Sequence, residues 1–419
     1  MMLLFHATER PTNFKIISGI FAISCILCIF ASCASTEVGA GLKPAPTSVP
    51  VSLTTSVPIP DALPESPPSP PSLITDENRE TLYGIFDDIQ NENYQAALVL
   101  FDNLDVSDLK KSEIRNLKAN VLSILGSQSY KNRKKDKNAL KDAVYYYDMA
   151  LDINPDDTMA LQGRGNILRK EKKYEAAFRD LDRAASLEPK DYWIACDKGN
   201  VLIDLGRKKE ALEVFEQAIN LSEDNFVALV FAAGLNEELK HNGRAKELYR
   251  AVIDIKPEYY FAYERLGVLY MNDGNWNDAK NAFGLAYSRS PTQSAQLSSA
   301  EADYALLAIV NWLKIDTKEK VQPFIDTVMR RIPQNSDNWY LLRTFMLGAG
   351  EKEITRMIQK TAEPLEKGRL LFYLGQYYDI QNKPAAANRM YAEMSRSGRP
   401  GGIEWQILQN MEKRWKESA

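Results

Sequence analysis

The sequence predicts an all-α fold, a row of stacked helical hairpins, on three observations. Alanine recurs every 34 residues, at Ala143, Ala177, Ala211, Ala245 and Ala279. Four residues after each stands a large apolar or aromatic residue (Tyr147, Leu181, Phe215, Tyr249, Phe283), and three further on a small one (Ala150, Ala184, Ala218, Val252, Ala286). Five residues later comes proline, at Pro155, Pro189, Pro257 and Pro291, with Glu223 the only break. Steps of four and three keep these residues on one helix face. Proline then ends the helix, because it cannot continue the hydrogen-bond ladder. A fixed period of this size marks one structural unit copied and stacked. Each unit contacts only its neighbours, so the 419 residues do not set a domain count by length alone.

Taken in order, the chain begins with Arg10 and Lys15 ahead of an apolar run, Ile16 to Phe30, which closes in Phe30-Ala31-Ser32-Cys33. A charged stretch followed by a short apolar one has the form of an export signal. The run falls short of the roughly 20 apolar residues of a transmembrane helix. Small residues before Cys33 resemble a bacterial lipoprotein signal, with residues 1–32 as the signal peptide. The resemblance implies that Cys33 receives lipid and becomes the new N-terminus. An uncleaved signal anchor and ordinary cleavage are the other readings of the same stretch. Ala34, where aspartate would imply retention, points by the same resemblance to the outer membrane. The periplasmic face is favoured, and the cell surface is the other possibility. Residues 33–74 form a predicted disordered spacer, dense in Pro44, Pro46, Pro50, Pro58, Pro60, Pro64, Pro67, Pro68, Pro70 and Pro71. Fully extended at about 3.1 Å per residue, such a spacer reaches on the order of 100 Å.

Residues 75–157 are expected to hold helices and degenerate units. Thr75-Asp76 is a plausible start, with Leu82, Ile85, Phe86 and Ile89 at helical spacing. After Asn91-Glu92-Asn93, Ala97 and Phe101 repeat the alanine-plus-four pattern. A third helix is expected over Asp108–Leu125, ended by Gly126. A loop over 127–138 then carries the basic run Lys131, Arg133, Lys134, Lys135 and Lys137.

With Thr158 as position 1, position 8 holds Gly165, Gly199, Ala233 and Gly267, and position 20 holds the repeating alanines. Small residues on both helices let them cross at close range. Asp157, Asp191 and Asn225 are placed to cap the helices that follow. This pattern resembles the tetratricopeptide repeat family over four units: 158–191, 192–225, 226–259 and 260–293. Leu161, Ala195, Leu229 and Tyr263 stand where tryptophan is usual, and Arg164 and Lys198 where leucine is usual. The resemblance implies a right-handed α-solenoid whose concave groove is lined by the first helix of each unit. Residues 294–419 read as looser helices of the same kind, over 294–315, 318–331, 336–347 and 351–361. Gly375, Tyr378, Ala387, Tyr391 and Met394 then restore the pattern. A final amphipathic helix from Ile403 to Trp415, carrying Trp405, Ile407, Leu408 and Met411, is expected to cap the open end. A docking helix for a partner is the alternative.

No catalytic chemistry is legible. Once the leader is removed, His241 is the only histidine, and it falls in the turn His241-Asn242-Gly243. There is no phosphate-binding loop and no spaced Cys/His cluster, so no enzyme activity, metal or cofactor is expected. Cys196 reads as a small buried residue. A net charge of −4 and a pI near 5.6 lack the basic surplus of a nucleic-acid binder. The repeat resemblance instead implies a protein or peptide partner held in the groove. Its candidate residues are Asn166, Arg169, Trp193, Asn200, Phe231, Glu264 and Arg265. Asn166 and Asn200 share position 9, and an asparagine amide offers a donor and an acceptor to a peptide backbone. A clamp for a C-terminal carboxylate would want lysine at positions 2 or 5, which these units lack. The expected function is a lipid-anchored interaction scaffold in cell-envelope assembly. A surface adhesin projected on the proline-rich stalk is the alternative. The sequence leaves the oligomeric state open.

Overall fold

The computed structural model describes residues 76–104, 112–290, 296–396 and 402–417. The signal over 1–32, Cys33 and the spacer over 33–74 lie outside the described residues. Among the described residues there are nineteen helices and no strand. The chain divides into two compact units, Met1–Leu187 and Glu188–Ala419.

The first unit holds α1 (Asp76–Gln90), α2 (Tyr94–Phe101), α3 (Ser112–Asn132), α4 (Ala139–Ile153), α5 (Thr158–Lys170) and α6 (Tyr174–Leu187). They pack as consecutive pairs, α1 on α2, α3 on α4 and α5 on α6. Leu82, Ile85, Ala97, Phe101, Ile114 and Val121 form one apolar cluster, so the alanine-plus-four pattern is at work here too. One expectation fails in this unit. The third helix does not stop at Gly126 but continues to Asn132, and the loop shrinks accordingly. Gly126 is needed for packing, not for termination: a Cβ there would stand 2.7 Å from the Tyr147 ring on α4.

The second unit holds α7 (Tyr192–Asp204), α8 (Lys208–Leu221), α9 (Phe226–Glu238), α10 (Asn242–Ile255), α11 (Tyr260–Asn272), α12 (Trp276–Arg289), α13 (Ser299–Leu313), α14 (Lys318–Met329), α15 (Asp337–Leu347), α16 (Glu351–Lys360), α17 (Pro364–Ile380), α18 (Pro384–Arg396) and α19 (Ile403–Glu417). Several hairpins are set by a steric fit across 16 residues. A Cβ at Gly199 would meet Phe215 at 2.7 Å, and one at Gly267 would meet Phe283 at 2.7 Å. Gly375 and Tyr391 repeat the arrangement in α17 and α18, as do Gly165 and Leu181 in the first unit. Between the two helices of each of the four regular repeats, the chain turns through a left-handed residue at position 15: Lys172 (φ 62°), Gly206 (φ 75°), Lys240 (φ 67°) and Gly274 (φ 75°). Such a residue is a common way to end a helix, and it costs least when it is glycine. The predicted caps form: Asp157 accepts from the Ala160 N–H at 2.8 Å, Asp191 from Trp193 at 2.7 Å and Asn225 from Ala228 at 3.1 Å.

The last helix packs against α17, in the last pair, on the side where a cap was expected, and it also reaches α11, three pairs earlier. The physical reason lies in its sequence. Glu404, Trp405, Ile407 and Leu408 crowd one face, and all four are buried, at 4%, 6%, 0% and 0% exposed. Burying Ile407 and Leu408 contributes about 1.5–3 kcal/mol each. That gain is available wherever a complementary apolar surface lies within reach. Among the described residues no helix is long and apolar enough to cross a membrane.

Candidate functional site

In the first unit, α5 carries two of the predicted groove residues, Asn166 and Arg169. Both are half-buried, and both are engaged by neighbouring groups. Their helix is locked by Arg164, the residue that departs from the repeat's usual leucine. Its guanidinium donates to Asp180 on α6 through Nε and Nη2, at 2.8 and 2.9 Å, and to Asp148 on α4 at 2.9 Å. A single arginine therefore ties three helices together. Asp180 is 9% exposed, so the charge it carries needs this partner.

In the second unit, α7 presents two features on one side. Trp193 is 43% exposed, with the Tyr192 ring 5.1 Å away. Asn200, two turns further on, is half-buried, and its amide oxygen is shut off from solvent without a protein hydrogen bond. An acceptor buried in that state costs stability, and a ligand's N–H reaches it only when the side chain turns outward. Cys196, one turn before Asn200, is 2% exposed and takes a 3.6 Å contact from the Asn225 amide. Burial pushes its thiol up to about 12, which fits a small core residue and not a nucleophile.

Phe231, another candidate, spends its ring inward. It is 9% exposed and stacks on Phe215 of α8 at 5.1 Å with 12° between the planes. Glu264 and Arg265 on α11 are held by the chain itself. Arg265 donates to Glu237 of α9 through Nε at 3.0 Å and through Nη2, and to the Gln406 side chain of α19 at 2.5 Å. Burial works against its charge, and Glu237, Tyr249 and Glu264 together more than offset that, keeping the guanidinium firmly protonated. Glu264 accepts from the Tyr304 hydroxyl of α13 at 2.5 Å, and burial pushes its carboxyl upward. The seven candidates thus fall into three groups. Asn166 and Arg169 lie on the first unit. Trp193 and Asn200 lie on an accessible helix of the second. Phe231, Glu264 and Arg265 are already occupied.

Sequence reasoning missed a second cluster, where α19 meets α17. Arg369 of α17 donates to Asp303 of α13 at 2.6 Å, to Glu366 at 3.1 Å and to Asn338. Glu404 of α19 enters beside it. Its Oε1 and the Trp405 indole nitrogen are both buried without a hydrogen bond. Burial, and then the Asp303 charge, push the Glu404 carboxyl up to about 8. The one available signal was an acid on the apolar side of an amphipathic helix.

The fold and these faces define a helical-repeat protein whose candidate site is a recognition surface. Residues 194–225, which span α7 and α8, match the family model described as tetratricopeptide repeat. Two curated proteins are similar over part of the chain. Human "Tetratricopeptide repeat protein 6" is 25% identical over 153 residues, covering 36% of this chain and 29% of that protein. The "Tetratricopeptide repeat and J domain-containing co-chaperone DNJ1" of Fusarium oxysporum f. sp. lycopersici is 28% identical over 136 residues, 31% of this chain and 26% of that protein. The chain therefore spans under a third of either relative. Among solved structures, PilF of Pseudomonas aeruginosa aligns at 16% identity over 54% of this chain and 96% of its own, with a TM-score of 0.40.

Proposed function

We propose that this chain is a membrane-anchored scaffold that binds a peptide or helix of a protein partner along the first helices of its repeats, in assembly of the cell envelope. Lipid on Cys33 holds it to the outer membrane on the periplasmic face, and the spacer over 33–74 sets the body away from the bilayer. The observation that carries this reading is α7: an exposed Trp193, with the Tyr192 ring beside it, two turns from the half-buried Asn200. An aromatic platform supplies contact area at low entropic cost, and the amide can hold a ligand's backbone. On the first unit, Asn166 and Arg169 offer a polar face of similar chemistry.

The test is capture of envelope proteins by the full chain and by its Trp193→Ala and Asn200→Ala variants. A species that both substitutions lose, and that Tyr145→Ala retains, supports the reading; Tyr145 is 60% exposed on α4. Capture unchanged in both α7 variants sinks it. Digestion of the body by protease added to intact cells would move the site to the cell surface and favour the adhesin.

A further inference from the structure

We propose that α19 is a tethered ligand of its own chain. The face it covers, on α11 and α17, binds in its place an amphipathic helix from a partner protein. That helix carries the order acid–aromatic–x–aliphatic–aliphatic seen in Glu404-Trp405-Gln406-Ile407-Leu408. This rests on the proposed function in one respect, that first-helix faces of this protein take up partner helices.

Three observations carry it. First, α19 lies on α11 and α17, both first helices of their pairs, the surface that the repeat resemblance assigns to a ligand. It meets Arg265, a predicted groove residue, through Gln406 at 2.5 Å, although 141 residues separate the two in sequence. Second, its polar fit is incomplete. Glu404 Oε1 and Trp405 Nε1 are buried without partners. Arg369 is the guanidinium beside Glu404, and it is already shared by Asp303 and Glu366. Buried groups left unmatched weaken an interface that its apolar contacts would otherwise make tight. Third, a cavity of about 690 Å³ adjoins Met411 of α19, lined also by Trp276, Leu313, Lys314, Asp379 and Asn388. A partner helix that fills it gains contacts that residues 403–411 do not make. That extra contact is what an outside helix needs, since a short tether gives a resident one an effective concentration on the order of millimolar.

The experiment uses the full chain and a fluorescent peptide spanning residues 402–419, followed by anisotropy. In the wild type the face is occupied, and the peptide binds weakly. In Ile407→Asp, which places a charge at a fully buried position of α19, the face is vacated, and the peptide binds at least tenfold more tightly. A peptide carrying the same change does not bind. The variant also captures more partner from envelope extract than the wild type does, and the unmodified peptide competes that capture away. Equal peptide binding by variant and wild type overturns the proposal. So does a loss of helicity in the variant larger than α19 alone, which would make this helix part of the core. Hydrogen exchange on the wild type supplies a readout that needs no variant. Amides of α19 exchange at least tenfold faster than those of α11 and α17, and opening of all three together overturns the idea. A wild-type dimer formed by exchange of α19 between copies overturns the partner assignment and makes the occupant a second copy. None of these results bears on Trp193 or Asn200, so the two readings fail separately.

Discussion

Docking of α19 should weaken as pH rises from 5.5 to 7.5, and Glu404→Gln should remove most of that dependence. Asp303 on α13 and Arg369 and Tyr373 on α17 act on Glu404, and Arg369 also holds Glu366. Asp337 adds its charge beside Glu366. Buried Glu404, Asp303 and the half-buried Glu366 thus share one arginine, and the surplus is relieved by a proton on Glu404. Its carboxyl moves from 4.5 to about 8 on docking, chiefly by burial and next by the Asp303 charge. Below 4.5 the group is protonated whether α19 is docked or free, and the stabilising contribution is complete. Between 4.5 and about 8 the docked helix keeps a proton that the free helix has released, so docking loses about 1.4 kcal/mol per pH unit. From pH 5.5 to 7.5 this amounts to on the order of a hundredfold in the docking constant. Glutamine is neutral throughout and can still meet the Tyr373 hydroxyl. The assay is the hydrogen-exchange protection factor of α19, corrected for intrinsic rate, at a series of pH values. A flat wild-type profile, or an equal slope in Glu404→Gln, would refute the account of a buried shared proton.

Three other outcomes follow from the packing. Arg164→Leu, which restores the usual repeat residue, should destabilise the first unit by roughly 1–3 kcal/mol in urea unfolding, because Asp180 is left buried without its counter-charge; adding Asp180→Leu should recover most of the loss. Gly375→Ala should cost roughly 1–3 kcal/mol by driving a methyl into the Tyr391 ring, while Gly284→Ala on α12, with nothing within 4 Å, should stabilise by about 0.5–1 kcal/mol in thermal melts. Cys196 should resist iodoacetamide at pH 8 in the folded chain and react on unfolding, read by mass mapping of its peptide; rapid native labelling would contradict a buried thiol held at about 12.

The regular repeats were legible because their determinants are local. The glycine at position 8 and the large residue 16 positions later are two halves of one contact: Gly165 with Leu181, Gly199 with Phe215, Gly267 with Phe283. A spacing fixed by one hairpin survives in the sequence as a period. Caps are equally local, which is why Asp157, Asp191 and Asn225 could be named in advance. Gly126 misled for a related reason. Glycine ends helices and also makes room for rings, and the local sequence does not say which; Tyr147, on the next helix, decides it. Arg164 stood out as a departure from the usual leucine, but its two aspartates, each 16 residues away on a different helix, gave no sign of their role.

The candidate site was less legible, and the missing part concerns what an amphipathic helix meets. The pattern in α19 states what it must bury, and not on what surface. Trp405, Ile407 and Leu408 satisfy that requirement equally well at an open end or on α11 and α17. The choice between those surfaces is made by polar groups far away in sequence, such as Arg369, Asp303 and Arg265, the last of them 141 residues from Gln406, which leave no periodic trace. The same comparison separates a core contact from an exchangeable one. Within a hairpin, a ring fills the space a glycine leaves, and any other occupant clashes with backbone or leaves a void. At α19 the nearest equivalent is looser, with the Trp405 indole nitrogen 3.2 Å from where a Cβ of Gly368 would stand. That nitrogen and Glu404 Oε1 remain unmatched, so a helix supplying better partners at those two points would bind the same face more tightly than the resident does.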